Sequence, residues 1–143
     1  MQAGVTELPH IVDLLYVYKE KIFVGSAEKV ISVFNAADFK KEAKEIETSE
    51  AIQCLAFCEE KVYVGQKNQK VEIFNYQDLS LINQITVNDS VTSLLAIPNV
   101  GIVIGQDNGF IDVINTQSGK FLLHGKHPYA EKINHMEKTS DVK

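Results

Sequence analysis

Arginine is missing from this chain; all fourteen of its basic residues are lysines. Planar, bidentate recognition of phosphate or carboxylate is therefore closed to it, as are the paired contacts that arginine makes to guanine. Asp and Glu number 19, which leaves a net charge of -5 and a sequence pI near 5.3. A general nucleic-acid surface needs an excess of cations to displace counterions, so nucleic acid is not an expected partner. Cysteine is scarce as well. Cys54 and Cys58 lie in one expected strand, roughly 13 Å apart at strand rise, too far for a disulfide. The opening stretch "MQAGVTELPH" has neither the basic region nor the apolar run of a signal peptide. The most apolar stretch, "VTSLLAIPNVGIVIG", is broken by Pro98, Asn99 and Gly101 before it reaches bilayer length. A reducing, cytoplasmic setting without membrane contact is the expectation.

What is present is a core-forming composition and a repeat. The chain has 143 residues, 45% hydrophobic and 23% charged, which suits one globular domain. The outline "KVYVGQKNQKVEIFN" from Lys61 returns as "KIFVGSAEKVISVFN" from Lys21 and "GIVIGQDNGFIDVIN" from Gly101. Gly25, Gly65 and Gly105 are spaced by 40, as are Asn35, Asn75 and Asn115. The segments "IVDLLYVYKE", "AIQCLAFCEE" and "VTSLLAIPNV" step by 40 as well. This places Cys54 with Leu14 and Leu94, and Gln53 with Asp13 and Ser93. Repeats of this length mark stacked supersecondary units, and about 40 residues suits a four-stranded propeller blade.

Each copy reads as four short strands. In the second and third copies these are "VTSLLAI", apolar on both faces, then "KVYVG", "KVEIFN" and "LINQITV". Turn-rich sequences such as "GQKNQ", "GQDNG", "NYQD" and "NTQSG" separate them. The segment "AADFKKEAKEIETSE" has helical composition, but its place in the repeat makes it the outer strand of the first unit; register outweighs local propensity.

Each copy resembles a degenerate WD40 repeat. Phe34-Asn35, Phe74-Asn75 and Ile114-Asn115 stand where that family has Trp-Asp, and Glu28, Asn68 and Asn108 stand at its turn aspartate. The Gly-His pair before the innermost strand is absent from every copy. The resemblance implies an all-β fold: a partial β-propeller of three four-stranded antiparallel blades, 11–48, 51–88 and 91–128, with the first strand of a fourth at 131–137. With the family's buried hydrogen-bond network incomplete, the blades are expected to depend more on apolar packing, with Phe34, Phe74 and Ile114 between them.

Propellers close with four to eight blades, so three leave broad apolar faces that must be covered. The missing blades are expected from a longer parent chain, from a second copy forming a six-bladed ring, or from another subunit.

Catalytic and metal readings find little support. His124 and His127 have no cysteine or carboxylate cluster near them in sequence to finish a tetrahedral site. Cys54 reads as a small core hydrophobe without an adjacent base. Glu59-Glu60 reads as a solvated turn, and "GQDNG" as a hairpin that leads into no helix and so cradles no phosphate. No enzyme, cofactor or metal is expected. A quinone-dependent dehydrogenase or hydrolase on this scaffold would need cationic or metal-binding groups converging on the channel.

Function on such a scaffold sits in rim loops. The resemblance implies a partner surface made of second-to-third-strand turns and inter-blade loops. By register these hold Glu28, Lys29, Lys67, Asn68, Gln69, Asp107 and Asn108, then Asn88, Asp89, His127 and Tyr129, with Ser49, Glu50 and Pro128 beside them. Tyr129 is the favoured anchor, because exposed tyrosine recurs at interfaces. The expected function is a non-catalytic protein-interaction scaffold within a larger cytoplasmic protein. The alternative is a regulatory or dimerising propeller of a multidomain signalling enzyme, a kinase or GTPase such as the leucine-rich-repeat kinases.

Overall fold

The computed structural model describes residues 14–25 and 29–126. Asp13, Glu28, His127, Tyr129 and the expected fourth-blade strand at 131–137 lie outside the described residues. All described regular structure is β. Blade one holds β1 (Leu14–Tyr18), β2 (Lys21–Gly25), β3 (Val30–Asn35) and β4 (Ile46–Glu47). Blade two holds β5 (Ile52–Cys58), β6 (Lys61–Gln66), β7 (Lys70–Asn75) and β8 (Leu81–Thr86). Blade three holds β9 (Val91–Ile97), β10 (Gly101–Gln106), β11 (Phe110–Ile114) and β12 (Phe121–Lys126). Each blade is one four-stranded sheet with its strands in chain order. The chain divides into two compact units, Met1–Ile52 and Gln53–Lys143, so blade one stands in the first and blade three with nearly all of blade two in the second.

Blade one confirms the priority of register over propensity. The Ala-, Lys- and Glu-rich segment forms no helix. It turns after Asn35, bridges Phe34 to Lys41, and ends in the two-residue β4 pairing with Val30 and Ile31. Ion pairs from Lys21 to Glu42 (3.5 Å) and Lys41 to Glu45 (3.0 Å) hold the irregular stretch. The Lys41 ammonium and then the Ser32 hydroxyl bond the Glu45 carboxylate and hold its pKa below the usual value.

The repeated asparagine has a local cause. In every blade its side-chain oxygen accepts backbone N–H groups two and three residues on: Ala37 and Asp38 in blade one, Gln77 and Asp78 in blade two, Gln117 and Ser118 in blade three. This side-chain cap closes the turn into the outer strand, a role in which asparagine is favoured. Four residues beyond each asparagine the backbone turns left-handed, at Phe39 (φ 61), Leu79 (φ 62) and Gly119 (φ 74).

In the second unit, alternation along the strands sets which residues meet. Tyr63 lies opposite Ile73, and Val71 opposite Ile85, on one face of blade two. Ile102 lies opposite Ile114 and Ala96 on one face of blade three. These faces meet in one core with Cys54, Ala56, Val87, Val91 and Ile104. A fully buried branched side chain contributes about 1.5–3 kcal/mol, so this contact is the main apolar support of the unit. Of the three aromatic-or-aliphatic positions expected between blades, Ile114 belongs to this cluster, and Phe34 and Phe74 are also buried.

The inner strand of blade three departs from the 40-residue register. Leu14 pairs with Gly25, yet the partner of Gly105 is Ser93, not Leu94. The β9–β10 turn is the reason. Lys19 and Glu20 are the only residues between paired Tyr18 and Lys21, whereas Pro98, Asn99 and Val100 separate paired Ile97 and Gly101. Pro98 occupies the second turn position, Asn99 is left-handed (φ 66), and Val100 N–H closes the turn on the Ile97 carbonyl at 3.0 Å. One extra residue moves the side chains from Ser93 to Ile97 to the other face, and a second shift between Gly105 and Gln106 restores the face of Val91. Leu94 thereby packs against the shared core, and Ser93 takes the place expected for a leucine or cysteine. The expected equivalence of Cys54 with Leu94, and of Gln53 with Ser93, is corrected: Gln53 is exposed, whereas Ser93 is buried.

Close approach explains two glycines. A Cβ at Gly65 would lie 2.6 Å from Cys54 Sγ and 2.7 Å from Val91 Cγ1, within the contact between blades two and three. At Gly101 it would lie 1.9 Å from the Ile114 carbonyl oxygen, which is backbone and cannot swing away. At Gly25 the nearest atom is at 3.5 Å, an ordinary contact. Gly101→Ala is therefore expected to lower stability by about 3 kcal/mol, while Gly25→Ala stays within about 1 kcal/mol of the parent; urea unfolding of each variant measures both.

Candidate functional site

The rim of the second unit is built by backbone hydrogen bonds between turns far apart in sequence. The β6–β7 turn presents Lys67, Asn68 and Gln69, the β8–β9 loop Asn88, Asp89 and Ser90, and the β10–β11 turn Asp107 and Asn108. Val87 N–H donates to the Gln69 carbonyl (2.9 Å), Val91 N–H to Asn68 (3.4 Å) and Asp107 N–H to Ser90 (3.0 Å). The Ser90 hydroxyl donates to the Lys67 carbonyl at 2.8 Å. The structure thus brings seven of the expected rim residues onto one surface. Lys67, Gln69, Asn88, Asp107 and Asn108 are exposed, while Asn68 and Asp89 are half-buried.

The rim side chains divide by what they already do. Asp89 Oδ1 accepts the Ser90 N–H (2.7 Å) and Asn108 Oδ1 the Phe110 N–H (3.1 Å), so both shape their own turns. Asn68 Oδ1 is enclosed and meets no donor among the described residues. In the first unit, Lys29 is exposed and pairs with Glu50 at 3.4 Å; its carbonyl accepts both the N–H (2.8 Å) and the hydroxyl (3.1 Å) of Thr48.

Beneath the rim lies a polar arrangement that the sequence reading missed. Gln106 is fully buried at the end of β10. Its Oε1 accepts the backbone N–H groups of Asn88 (3.0 Å) and Asp89 (2.9 Å), and its Nε2 donates to Asp112 Oδ2 at 3.0 Å. Asp112, also fully buried, meets His124 Nδ1 through its other oxygen at 2.9 Å. Blade two repeats the core of this arrangement: buried Gln66 donates through Nε2 to the buried Glu72 carboxylate, and Gln84 pairs opposite Glu72 where His124 pairs opposite Asp112. Blade one has Ser32 at the carboxylate position, bonded to Glu45 Oε2 at 2.9 Å. Apolar packing between the blades is therefore joined by buried polar pairs within them. An amide and a carboxylate tie the second strand to the third, and in blade three they also tie the inter-blade loop to the sheet. The signal was available: Gln66 and Gln106 follow the repeated glycines, and Glu72 and Asp112 follow six residues later.

The cysteines behave as the sequence suggested. Both are free; Cys54 is buried and Cys58 half-buried. Burial pushes the Cys54 thiol up to about 12, and burial followed by the charges of Cys58 and Glu59 pushes Tyr63 up to about 12. Neither is a nucleophile near neutrality. Among the described residues no group of three or more His, Cys, Asp or Glu is placed to hold a metal ion.

Comparison with known proteins places this architecture. No protein-family model matches the chain, and no curated protein matches its sequence. Solved propellers match its fold. The computationally designed Ika4 protein superposes with a TM-score of 0.80 at 15% identity, over 96% of this chain and 86% of that one. The RRP9 WD40 repeats superpose with a TM-score of 0.73 at 16% identity, over 84% of this chain and 40% of that one. Saccharomyces cerevisiae Sqt1 gives 0.74 at 13% identity, over 90% of this chain and 40% of that one. The fold shared with these structures is that of β-propeller blades, and the chain spans about two-fifths of the length of the two natural structures.

Three outcomes are expected from this geometry. Gln106→Ala leaves a buried carboxylate short of a donor and two loop N–H groups unpaired, at a cost of about 3 kcal/mol. His124→Gln, which installs the residue blade two carries at the same position, costs under about 1 kcal/mol; chemical denaturation measures both. Alkylation of the native protein at pH 8 labels Cys58 well before Cys54, whose thiolate fraction is on the order of one part in ten thousand, and unfolding removes the difference.

Proposed function

We propose that this chain is a non-catalytic protein-interaction segment of a propeller, and that its partner surface is the rim carrying Lys67, Asn68, Gln69, Asn88, Asp89, Asp107 and Asn108. The observation that carries the reading is the division of labour at that rim. Backbone groups of three turns bond to one another beneath the surface, while the side chains of Lys67, Gln69, Asn88 and Asp107 are exposed. A surface ordered before binding loses little further entropy when a partner docks. Lys67 supplies one positive charge, Asp89 and Asp107 two negative ones, and the amides adaptable donors and acceptors, which suits a polar protein surface. The fold similarity to WD40 propellers supports a scaffold role in general terms. Lys29 extends the same role to blade one, and His127 and Tyr129 remain proposed members of the surface.

The remaining blades come, on this reading, from the same parent chain, a second copy or another subunit, within a cytoplasmic assembly.

Affinity purification of the parent protein followed by mass spectrometry tests the proposal. A Lys67→Ala, Gln69→Ala, Asp107→Ala triple variant should lose most of the recovered partners. A Gln77→Ala, Gln117→Ala variant, altered at the opposite ends of the sheets, should keep them. Identical partner sets for both variants would overturn the rim assignment.

A further inference from the structure

The outer strand of blade three combines three properties that neither of its counterparts unites. First, β12 is the terminal strand of its sheet, so one backbone edge is paired with no described strand. Second, Phe121, Leu122 and Leu123 on that strand are 40%, 55% and 54% exposed. Third, the surrounding sequence is cationic within an acidic protein. From Val113 to Ala130 there is no carboxylate, while Lys120 and Lys126 bracket the apolar residues.

The other outer strands are managed differently. β4 is two residues long, and the segment leading into it carries the Lys41–Glu45 ion pair. Short strands and charge are the usual means of discouraging strand addition. β8 exposes Leu81 and Ile82 but carries no charged residue. Both β8 and β12 have a bulge at the same place: Ile82 lies between the partners of Ile73 and Phe74, and Leu122 between those of Val113 and Ile114. Beyond the bulge β12 resumes regular pairing from Leu123 to Lys126. The Phe121 and His124 rings lie with their centroids 4.3 Å apart.

We propose that the β12 edge is a strand-addition site for an extended segment of a partner protein, with alternating apolar residues flanked by carboxylates. Backbone pairing along the unpaired edge supplies affinity, and the apolar side chains of Leu122 and Leu123 supply contact area. Exposed Lys120 chooses the occupant, because a carboxylate-flanked strand neutralises it and a lysine-flanked one is repelled. This surface is separate from the polar rim and does not rest on it.

The test uses the full chain and two synthetic probes: an alternating valine-threonine peptide flanked by glutamates, and the same peptide flanked by lysines. Fluorescence anisotropy should show saturable, salt-sensitive binding of the first, about tenfold tighter than the second. Amide exchange should slow along β12 when the acidic probe is bound. Lys120→Glu should abolish the preference between probes, and Leu123→Glu should abolish binding, with unchanged urea midpoints showing both variants folded. Equal binding of the two probes, no saturable binding, or protection outside β12 would each overturn the proposal. So would a concentration-dependent doubling of mass that Leu123→Glu removes and the acidic probe does not compete with. That result would assign the edge to a second copy of the chain.

Discussion

A four-stranded sheet with apolar side chains on its broad faces cannot stand alone in water, and the rest of this molecule follows from that constraint. The second unit meets it by laying one face of blade two on one face of blade three, with Tyr63, Ile73, Ile102 and Ile114 in the shared core. Close approach of the two sheets then dictates the absence of a side chain at Gly65, where Cys54 and Val91 already fill the space. The contact also fixes how near the connecting loops come to one another, and so where the rim residues stand. Function in this fold begins with the spacing of its sheets.

Apolar contact alone does not align loops. The buried amide of Gln106 does so with two bonds to the Asn88–Asp89 backbone and one to Asp112. A buried carboxyl group is costly unless it is bonded, and Asp112 has a hydrogen-bond partner at each oxygen. Gln66 and Glu72 restate the same solution one blade earlier. Blades two and three thus each carry a short buried network built across two adjacent strands. Ser93 lies outside this economy: its hydroxyl is buried and has no partner among the described residues.

Much of this was legible in the sequence, for identifiable reasons. Spacing by 40 located all three blades, because a repeated glycine and asparagine mark fixed turn positions whatever the strands contain. It overrode the helical composition of 36–50 correctly, since the sheet needs a fourth strand there. The same spacing misled at β9, where one additional residue in the Pro98–Val100 turn slips the strand against β10. A slip that leaves the sequence period intact cannot be seen from the period. The glutamine–carboxylate pairs were visible as spacing but carry no meaning until two strands are known to be neighbours. The rim of the second unit was placed on one surface as expected, because hairpin turns at one end of a sheet follow from strand order alone.

The slipped strand also bears on how such a protein can grow. Blades with one register are interchangeable parts, and a gene that duplicates one of them gains a unit whose inner strand already fits its neighbours. Blade three is not such a part. A duplicate of it would carry the longer Pro98–Val100 turn and the buried Ser93 hydroxyl into every new interface, whereas blade two would carry Cys54 and a side chain that needs no partner. The two therefore differ as templates for descent even though they match as architecture.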